Sequence, residues 1–218
     1  MVLLAHPDID VNIRENDTCR TPFYLACSGG DVECVRELLN DCRVDVKRDD
    51  YLGRCPLAEV SNLGEIDVVK EWMASGREMD LGEPGSKTDA IGAAKTVEEG
   101  ENGIFREVKV ELVALLENFE ENQAAARHNV RIELGWYDRV ATELFSLVVF
   151  FSDRFLKINP DKRDSLLARF FAVATQLPLE LQMVLCYRVV GSVKDIIRGE
   201  HIEPAFKRLA RRLCFSFV

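Results

Sequence analysis

The stretch Thr21-Pro22-Phe23-Tyr24-Leu25-Ala26 decides the fold, because it opens a segment that recurs along the chain. Glycines follow it at positions 29 and 30, and then comes the run Val35-Arg36-Glu37-Leu38-Leu39. A related opening, Cys55-Pro56-Leu57-Ala58-Glu59-Val60, lies 34 residues later (21 to 55), and Thr88-Asp89-Ala90-Ile91-Gly92-Ala93 follows after a further 33 (55 to 88). A self-similar step of this size indicates a solenoid of stacked supersecondary units.

The openings and their spacing resemble ankyrin repeats, in which a Thr-Pro-Leu-His-x-Ala segment recurs about every 33 residues. In that family the Thr bonds locally and the Pro begins the first helix, and Thr21-Pro22 can fill both roles. The second opening keeps only Pro56, and the third keeps only Thr88. Gly30 and Gly64 fall where the family's first helix ends, a place for a left-handed residue.

The resemblance covers about residues 1–118 and implies a partial N-terminal repeat, two clear repeats and a degenerate third one. Hairpin turns are expected near 48–53 and 82–86. The third repeat carries an insertion, placed at 97–103, whose glycines and acids predict a solvated loop. Residues 3–12 look like the second half of a repeat, which indicates either a piece of a longer protein or an arm over the first full repeat. Glu59 stands where the family usually has Leu.

After about residue 119 the repeat fades and helical periodicity takes over. Apolar residues from Leu134 to Ile158 are spaced three and four apart, which predicts one long helix. Its middle is apolar on most sides, so a buried helix is favoured over a coiled-coil dimer. Further helices are expected at 163–176, 179–190 and 204–213, with Leu166, Leu167 and Leu181 among their apolar core-facing residues.

No strand-like alternation occurs in the sequence. We therefore expect an all-α protein, in which ankyrin repeats at 1–118 are followed by an α-helical domain at 119–218 that packs against the solenoid. Basic residues on the last helix favour a solvated face near the helix C-terminus, and an acidic partner or a membrane surface is the alternative.

Composition and charge limit the classes of function. The chain has 218 residues and a net charge of −9, which argues against a general nucleic-acid binder. Its apolar runs are too short to span a bilayer, and no secretory signal is recognised. Seven cysteines without a Cys-x-x-Cys pair predict reduced thiols rather than disulfides or structural zinc. We expect a cytoplasmic or else nuclear protein that does not bind membranes.

No group of residues predicts catalysis. The segment Gly82–Thr88 falls short of a phosphate-binding loop, because two residues instead of four separate its glycines and Ser86 replaces the Gly before Lys87. The three histidines lie in dissimilar contexts without a neighbouring nucleophile motif. We predict no enzyme activity, no cofactor and no metal site.

Ankyrin repeats usually bind other proteins through their hairpin tips and the inner face of their first helices. The resemblance therefore implies a protein–protein interaction scaffold or adaptor. Tyr51 and Arg54 rank first, because aromatic and Arg side chains dominate interface hot spots; the alternative for Tyr51 is packing on its hairpin neighbour. The full set of expected partner-binding residues is Asp17, Thr18, Arg20, Ser28, Tyr51, Leu52, Arg54, Asn62, Leu63 and Lys87.

A second resemblance gives an alternative function. Leu177-Pro178-Leu179-Glu180-Leu181 is similar to the opening of an F-box, which implies a substrate adaptor of a ubiquitin ligase. The Cys and Trp expected in the final helix of that motif are absent. Pro178 followed by Glu180 is also ordinary chemistry at a helix start.

Overall fold

The computed structural model describes residues 4, 6, 8–96, 103–157 and 165–215, with the side chains of 211–215 excepted. Within these residues helices are the only regular elements, so the all-α fold is confirmed. The chain forms two compact units, of which one ends at Leu134 and the other begins at Gly135. The expected insertion at 97–103 lies, apart from Gly103, outside the described residues.

The first unit contains the helices α1 (Pro22–Ser28), α2 (Val32–Leu39), α3 (Pro56–Leu63), α4 (Ile66–Ser75), α5 (Ala90–Lys95), α6 (Gly103–Glu121) and α7 (Gln123–Glu133). The second contains α8 (Trp136–Ser152), α9 (Leu166–Ala174), α10 (Leu179–Val189) and α11 (Gly199–Phe215). No helix in the described part of the chain is long and apolar enough to cross a membrane.

Each short inner helix of the first unit begins at a side-chain cap. Thr21 Oγ1 accepts a 3.2 Å hydrogen bond from Tyr24 N, and Cys55 Sγ accepts one of 3.4 Å from Ala58 N. In the third repeat the cap moves by one residue, and Asp89 Oδ1 accepts from Gly92 N at 2.6 Å. These bonds satisfy amide groups that a helix start leaves unpaired, and they explain how three divergent openings give the same turn.

The helices of the first unit stack in two rows. The inner helices α1, α3 and α5 contact one another in sequence, and α2 contacts α4, which in turn contacts α6 and α7. Phe23 of α1 and Trp72 of α4 meet edge to face with ring centroids 4.9 Å apart, and both are buried. Gly64 ends α3 with φ of 71°, and a Cβ there would lie 3.1 Å from the ring of Phe105, so both backbone and packing favour glycine.

Arginines tie the end of each outer segment to the next repeat. Arg43 donates to the carbonyls of Leu4 and His6, at 2.8 and 3.2 Å. Arg77 lies 34 residues further on and donates to the carbonyls of Leu39, Asp41 and Val44. Helix C-termini carry unpaired carbonyls and partial negative charge, which a guanidinium satisfies well.

Helix α7, which the sequence predicted to follow the repeats, continues this arginine series. Arg127 donates to the carbonyls of Met73 and Arg77, at 2.6 and 2.9 Å. Arg131 donates to the Ala74 carbonyl at 2.8 Å. Arginines of α7 therefore bind the carbonyls at the C-terminal end of α4, as Arg77 binds those at the end of α2.

Partly buried ion pairs also connect the outer helices. Lys70 of α4 lies 2.9 Å from Glu111 of α6 and 2.8 Å from Glu133 of α7. Burial alone would lower the pKa of Lys70, but hydrogen bonds and charge from the two glutamates raise it above its usual value. Arg36 and Glu71 form a similar pair at 2.6 Å between α2 and α4.

The second unit has its own core around α8. Ala141, Phe145 and Val148 of α8 pack with Phe171, Ala174, Cys186, Tyr187 and Ile197. Tyr187 donates a 2.9 Å hydrogen bond to Asp138 at the start of α8, and Lys194 lies 2.5 Å from the same carboxylate. Burial opposes ionisation of Asp138, but these two contacts hold its pKa below the usual value.

The helices of the second unit differ in detail from the sequence-based expectation. The predicted helix from Leu134 to Ile158 is present but shorter: α8 begins at Trp136, after Gly135 with φ of 59°, and ends at Ser152. Ile158 lies outside the described residues. Helix α9 begins after Ser165, which caps it, and Ala168, Phe171 and Ala174 are its buried residues. The positions expected to be buried at 166, 167 and 181 are exposed instead. Pro204 lies inside α11 rather than at its start.

The division of the chain at 118/119 into repeats and C-terminal domain stays a prediction. Helix α7 was expected to follow the repeats, and in the structure it packs against α4 and α6. Its apolar residues Ala126 and Val130 are buried there.

Candidate functional site

A turn-bearing segment precedes each inner helix, and we call these segments finger 1 (14–20), finger 2 (47–54) and finger 3 (80–88). Finger 2 turns through a hydrogen bond from Gly53 N to the Asp50 carbonyl and another from Asp50 N to the Arg54 carbonyl, both 3.0 Å. Finger 3 turns through a bond from Ser86 N to the Glu83 carbonyl, also 3.0 Å. Both turns lie where the sequence predicted hairpins.

The fingers are linked at their tips. Tyr51 N donates a 3.0 Å hydrogen bond to the Thr18 carbonyl, which joins finger 2 to finger 1. Lys87 Nζ donates to the Leu52 carbonyl at 2.9 Å, which joins finger 3 to finger 2. The structure thereby brings four predicted site residues into one row, which we call the tip ridge: Thr18, Tyr51, Leu52 and Lys87.

The tip ridge presents apolar side chains on a fixed backbone. The Tyr51 side chain is 62% exposed and that of Leu52 is 41% exposed. The finger backbone beneath them is held by the bonds between and within fingers, including Leu52 N to Asp50 Oδ1 at 2.9 Å. An exposed aromatic residue that loses little further freedom on binding is well suited to a protein interface.

A network of ion pairs lies beside the tip ridge and includes the predicted residues Arg20 and Arg54. Arg54 lies 2.8 Å from Asp50 and 2.9 Å from Glu59. Arg20 lies 2.9 Å from Glu59, and its guanidinium stacks 4.7 Å from the ring centre of Tyr24. The carboxylate of Asp50 is fully buried and also accepts the Tyr24 hydroxyl at 3.2 Å.

The network shifts the pKa values of the side chains within it. Burial disfavours the charged form of Asp50, but hydrogen bonds from the Arg54 backbone and side chain outweigh it and hold the Asp50 pKa below its usual value. Burial, followed by the charges of Glu59 and Asp50, raises the pKa of the Tyr24 hydroxyl strongly. Asp50 is therefore ionised and Tyr24 neutral at physiological pH, as the observed hydrogen bond requires.

This network explains why Glu59 can stand at a position where ankyrin repeats usually have Leu. A carboxylate at a position that usually holds Leu would be costly if left unpaired, but here two arginines contact it. The two arginines were identified from the sequence only as candidate partner-binding residues. A structural role could have been suspected, because Arg20 and Arg54 stand 34 residues apart, each directly before a repeat opening.

The remaining predicted residues lie elsewhere on the first unit. Ser28 and Asn62 are partly buried and Leu63 is exposed, all near the ends of inner helices. Ser28 Oγ donates to the Leu25 carbonyl at 3.2 Å. Asp17 is exposed in finger 1. Among the described residues, no hydrogen bond or ion pair joins Ser28, Asn62 or Leu63 to the tip ridge.

Comparison with known families identifies the repeats. A family model described as "Ankyrin repeats (3 copies)" matches residues 1–81. The first part of the chain is therefore an array of ankyrin repeats, and repeats of this class mediate protein–protein interaction.

Curated proteins of the same name, "SMC5-SMC6 complex localization factor protein 1", resemble the chain weakly. The proteins from Bos taurus and Homo sapiens are each 27% identical over 139 residues, which is 62% of this chain and 12% of theirs. The Mus musculus protein is 43% identical over 42 residues, 19% of this chain and 4% of its own. The longer alignments exceed the 81 residues of the family match, so they include residues beyond it. No solved structure matches the chain significantly.

Proposed function

We propose that the chain is a non-catalytic scaffold or adaptor that binds another protein through its fingers and inner helices. The observation that supports this best is the tip ridge, where Tyr51 and Leu52 are exposed on a backbone held by neighbouring fingers. Binding there would cost little conformational entropy, since the ridge is ordered before the partner arrives. The partner would contact the ten residues named from the sequence, with Tyr51 as its central anchor.

Arg54 has two roles in this proposal. Its side chain is one-third exposed, so the guanidinium can offer its outer edge to a partner while its other nitrogens hold Asp50 and Glu59. Removal of Arg54 would therefore damage both binding and folding. Tyr51 is the better residue for a test, because its side chain can be changed without breaking the network.

The name shared by the relatives suggests the setting in which this binding is used. We infer that the repeats take part in bringing a multiprotein complex of the SMC5–SMC6 kind to its place of action, in the cytoplasm or nucleus. The matched stretch covers only 12% of the bovine and human proteins, so the repeats would supply one contact among several.

Affinity purification followed by quantitative mass spectrometry tests the proposal. The intact chain should recover a discrete partner, and Tyr51→Ala combined with Leu52→Ala should reduce that recovery at least tenfold. Ile132→Ala is the matched control, since Ile132 is an exposed aliphatic residue of the same unit on α7, and it should leave recovery unchanged.

The identity of the recovered proteins separates the alternatives. SMC5 or SMC6 subunits would support the localisation role. A cullin–RING adaptor recovered through Leu179 and Leu181 would favour the F-box alternative. Equal loss of recovery in the ridge variant and the control, or no loss in either, would contradict binding at the tip ridge.

A further inference from the structure

A groove of about 520 Å³ lies between helices α5 and α6 of the first unit. Its lining residues come from both helices: Ala94, Lys95, Arg106, Lys109, Val110 and Val113. Binding pockets commonly measure about 300–1,000 Å³, so this groove can hold several side chains of a bound molecule. None of its lining residues belongs to the tip ridge or to the ten partner-binding residues named from the sequence.

Half of the lining residues are apolar. Ala94 is buried, Val113 is half-buried and Val110 is 71% exposed. Positions 106, 110 and 113 are spaced four and three apart on α6, so they share one face of that helix. The exposed side chain of Val110 thus gives the groove apolar surface that a bound aliphatic group would remove from water.

The other half of the lining is cationic, and within the described part of the chain no carboxylate lines the groove. Arg106 is exposed and has no ion-pair partner among those residues. Lys109 Nζ donates a 2.6 Å hydrogen bond to the Thr96 carbonyl. Lys95 pairs with Glu117 at 2.8 Å, but both side chains are about half exposed. Solvent weakens such a pair, so Lys95 is available to a second carboxylate.

The carboxylates of α6 are not among the lining residues. Glu111 pairs with a lysine of α4 at 2.9 Å. Glu107 directly follows Arg106, and neighbouring positions of a helix point about 100° apart. Glu120 acts on Lys95 through its charge alone. The groove is therefore a cationic region in a chain whose net charge is −9, and it favours anionic groups that the rest of the surface repels.

We propose that the groove between α5 and α6 binds a segment of a partner protein in which aliphatic side chains are flanked by aspartates or glutamates. The aliphatic groups would cover Val110 and Val113, while the carboxylates pair with Arg106 and Lys95. A basic segment would meet like charges. A nucleic acid would offer no aliphatic group to the valines, and the net charge of the chain would oppose its approach.

Fluorescence anisotropy of short labelled probes, titrated with the full chain, tests this proposal. The main probe is a peptide that presents Leu on one helical face with Glu on either side. Comparison peptides of equal length carry Lys in place of Glu, or Ser in place of Leu, and a single-stranded oligonucleotide is the fourth probe. The peptide of Glu and Leu should bind at least about tenfold more tightly than each of the other three.

Variants of the full chain locate the binding. Arg106→Glu should weaken binding of the main probe at least about tenfold, because it turns an attraction into a repulsion. Arg169→Glu is the matched control, since it changes the net charge equally at another exposed arginine, and it should leave binding nearly unchanged. Val110→Ser should also weaken binding, whereas Ile132→Ser, at an exposed aliphatic residue of α7, should not. Circular dichroism should show the same helix content in all four variants.

The result that overturns the proposal differs for each of its parts. Absence of saturable binding of the main probe, or equal binding when Ser replaces Leu, would overturn the acidic and aliphatic character of the partner. Tighter binding of the oligonucleotide would make the groove a nucleic-acid site instead. Equal effects of Arg106→Glu and Arg169→Glu, or of the two serine variants, would place the binding outside the groove.

Discussion

Arg54 Nη1 lies 2.9 Å from Glu59 Oε2, while Nη2 of the same guanidinium lies 2.8 Å from Asp50 Oδ2. One side chain therefore connects finger 2 to the inner helix α3. Arg20 approaches the same glutamate from the preceding repeat at 2.9 Å. The charge at position 59 thus links two consecutive repeats.

Glu59→Leu should destabilise the protein, although it introduces the residue usual at this position of the repeat. Arg20 and Arg54 would lose a carboxylate in a mostly buried setting, and breaking a buried pair costs roughly 3–5 kcal/mol. Because both arginines are partly exposed, we expect a loss of about 2 kcal/mol in the free energy of unfolding, measured by urea denaturation. Glu59→Gln keeps an acceptor and should cost less. A Glu59→Leu protein as stable as the parent would contradict this account.

The stability of the first unit should fall in acid because of Asp50. Its folded-state pKa lies below the usual 3.8, so the ionised carboxylate stabilises the fold at any pH above its unfolded pKa. That contribution is lost as the pH falls through the lower, folded-state pKa. Urea unfolding from pH 7 down to about pH 2.5 should therefore show a decline below about pH 4.

Asp50→Asn is the variant that tests this assignment. It should lower stability at neutral pH and flatten the decline in acid, since the titrating group is gone. Asp17→Asn removes an exposed carboxylate of finger 1 and is the matched control. An acid decline that is equally steep in Asp50→Asn and the parent would place its origin elsewhere.

Much of the first unit could be predicted from the sequence, because each repeat carries local signals at a constant step. The Pro at positions 22 and 56 and the Gly at 30 and 64 act within a single turn, and a reader of the sequence can use them directly. The arginine series was missed, although Arg43 and Arg77 keep the same 34-residue step. Their partners are backbone carbonyls, which leave no signature in the sequence.

The second unit was harder to predict for a physical reason. Its segments are apolar on more than one side, so spacing alone does not tell which side meets the core. Leu166 and Phe171 both fit an apolar stripe, but only Phe171 is buried. The side of α9 that meets the core is decided by packing in the tertiary structure, and Gly135 interrupts an otherwise continuous pattern.

The two tyrosines near finger 2 should respond differently to substitution. Tyr51→Ala removes a mostly exposed side chain and should change the free energy of unfolding by no more than about 0.5 kcal/mol. Tyr24→Phe removes the buried hydroxyl that donates to Asp50 and should cost about 1 kcal/mol. Thermal and urea unfolding of both variants would check this. The reverse order of the two effects would show that Tyr51 packs as a structural residue.

Arg77 is partly buried and should contribute strongly to stability. Arg77→Ala removes the guanidinium donor from the carbonyls of Leu39, Asp41 and Val44, of which Asp41 keeps a bond from Val44 N. We expect a loss of about 2–3 kcal/mol by urea denaturation. Arg77→Lys should recover little, because a single ammonium cannot reach three separated carbonyls as the planar guanidinium does. Arg48→Ala is the control, since Arg48 is more exposed and forms a local ion pair with Asp45. Equal effects at positions 48 and 77 would contradict the role of the series.

Helix α7 should decide whether the repeats fold when separated from the second unit. A fragment of residues 1–134 keeps Arg127 and Arg131 on the carbonyls at the end of α4, and it keeps Glu133 on Lys70. A fragment of residues 1–122 loses all three and exposes the apolar surface that Ala126 and Val130 cover, at a cost of about 25 cal/mol per Å².

We therefore expect 1–134 to unfold in one cooperative urea transition, whereas 1–122 should be poorly soluble or show a much lower midpoint. Arg127→Ala in the longer fragment is the graded control, because it removes two of the hydrogen bonds and the stacking on Phe119 while leaving Ala126 and Val130 in place. Its midpoint should lie between those of the two fragments. If 1–122 were as stable as 1–134, α7 would not be needed for folding, and the stable array of repeats would end at α6.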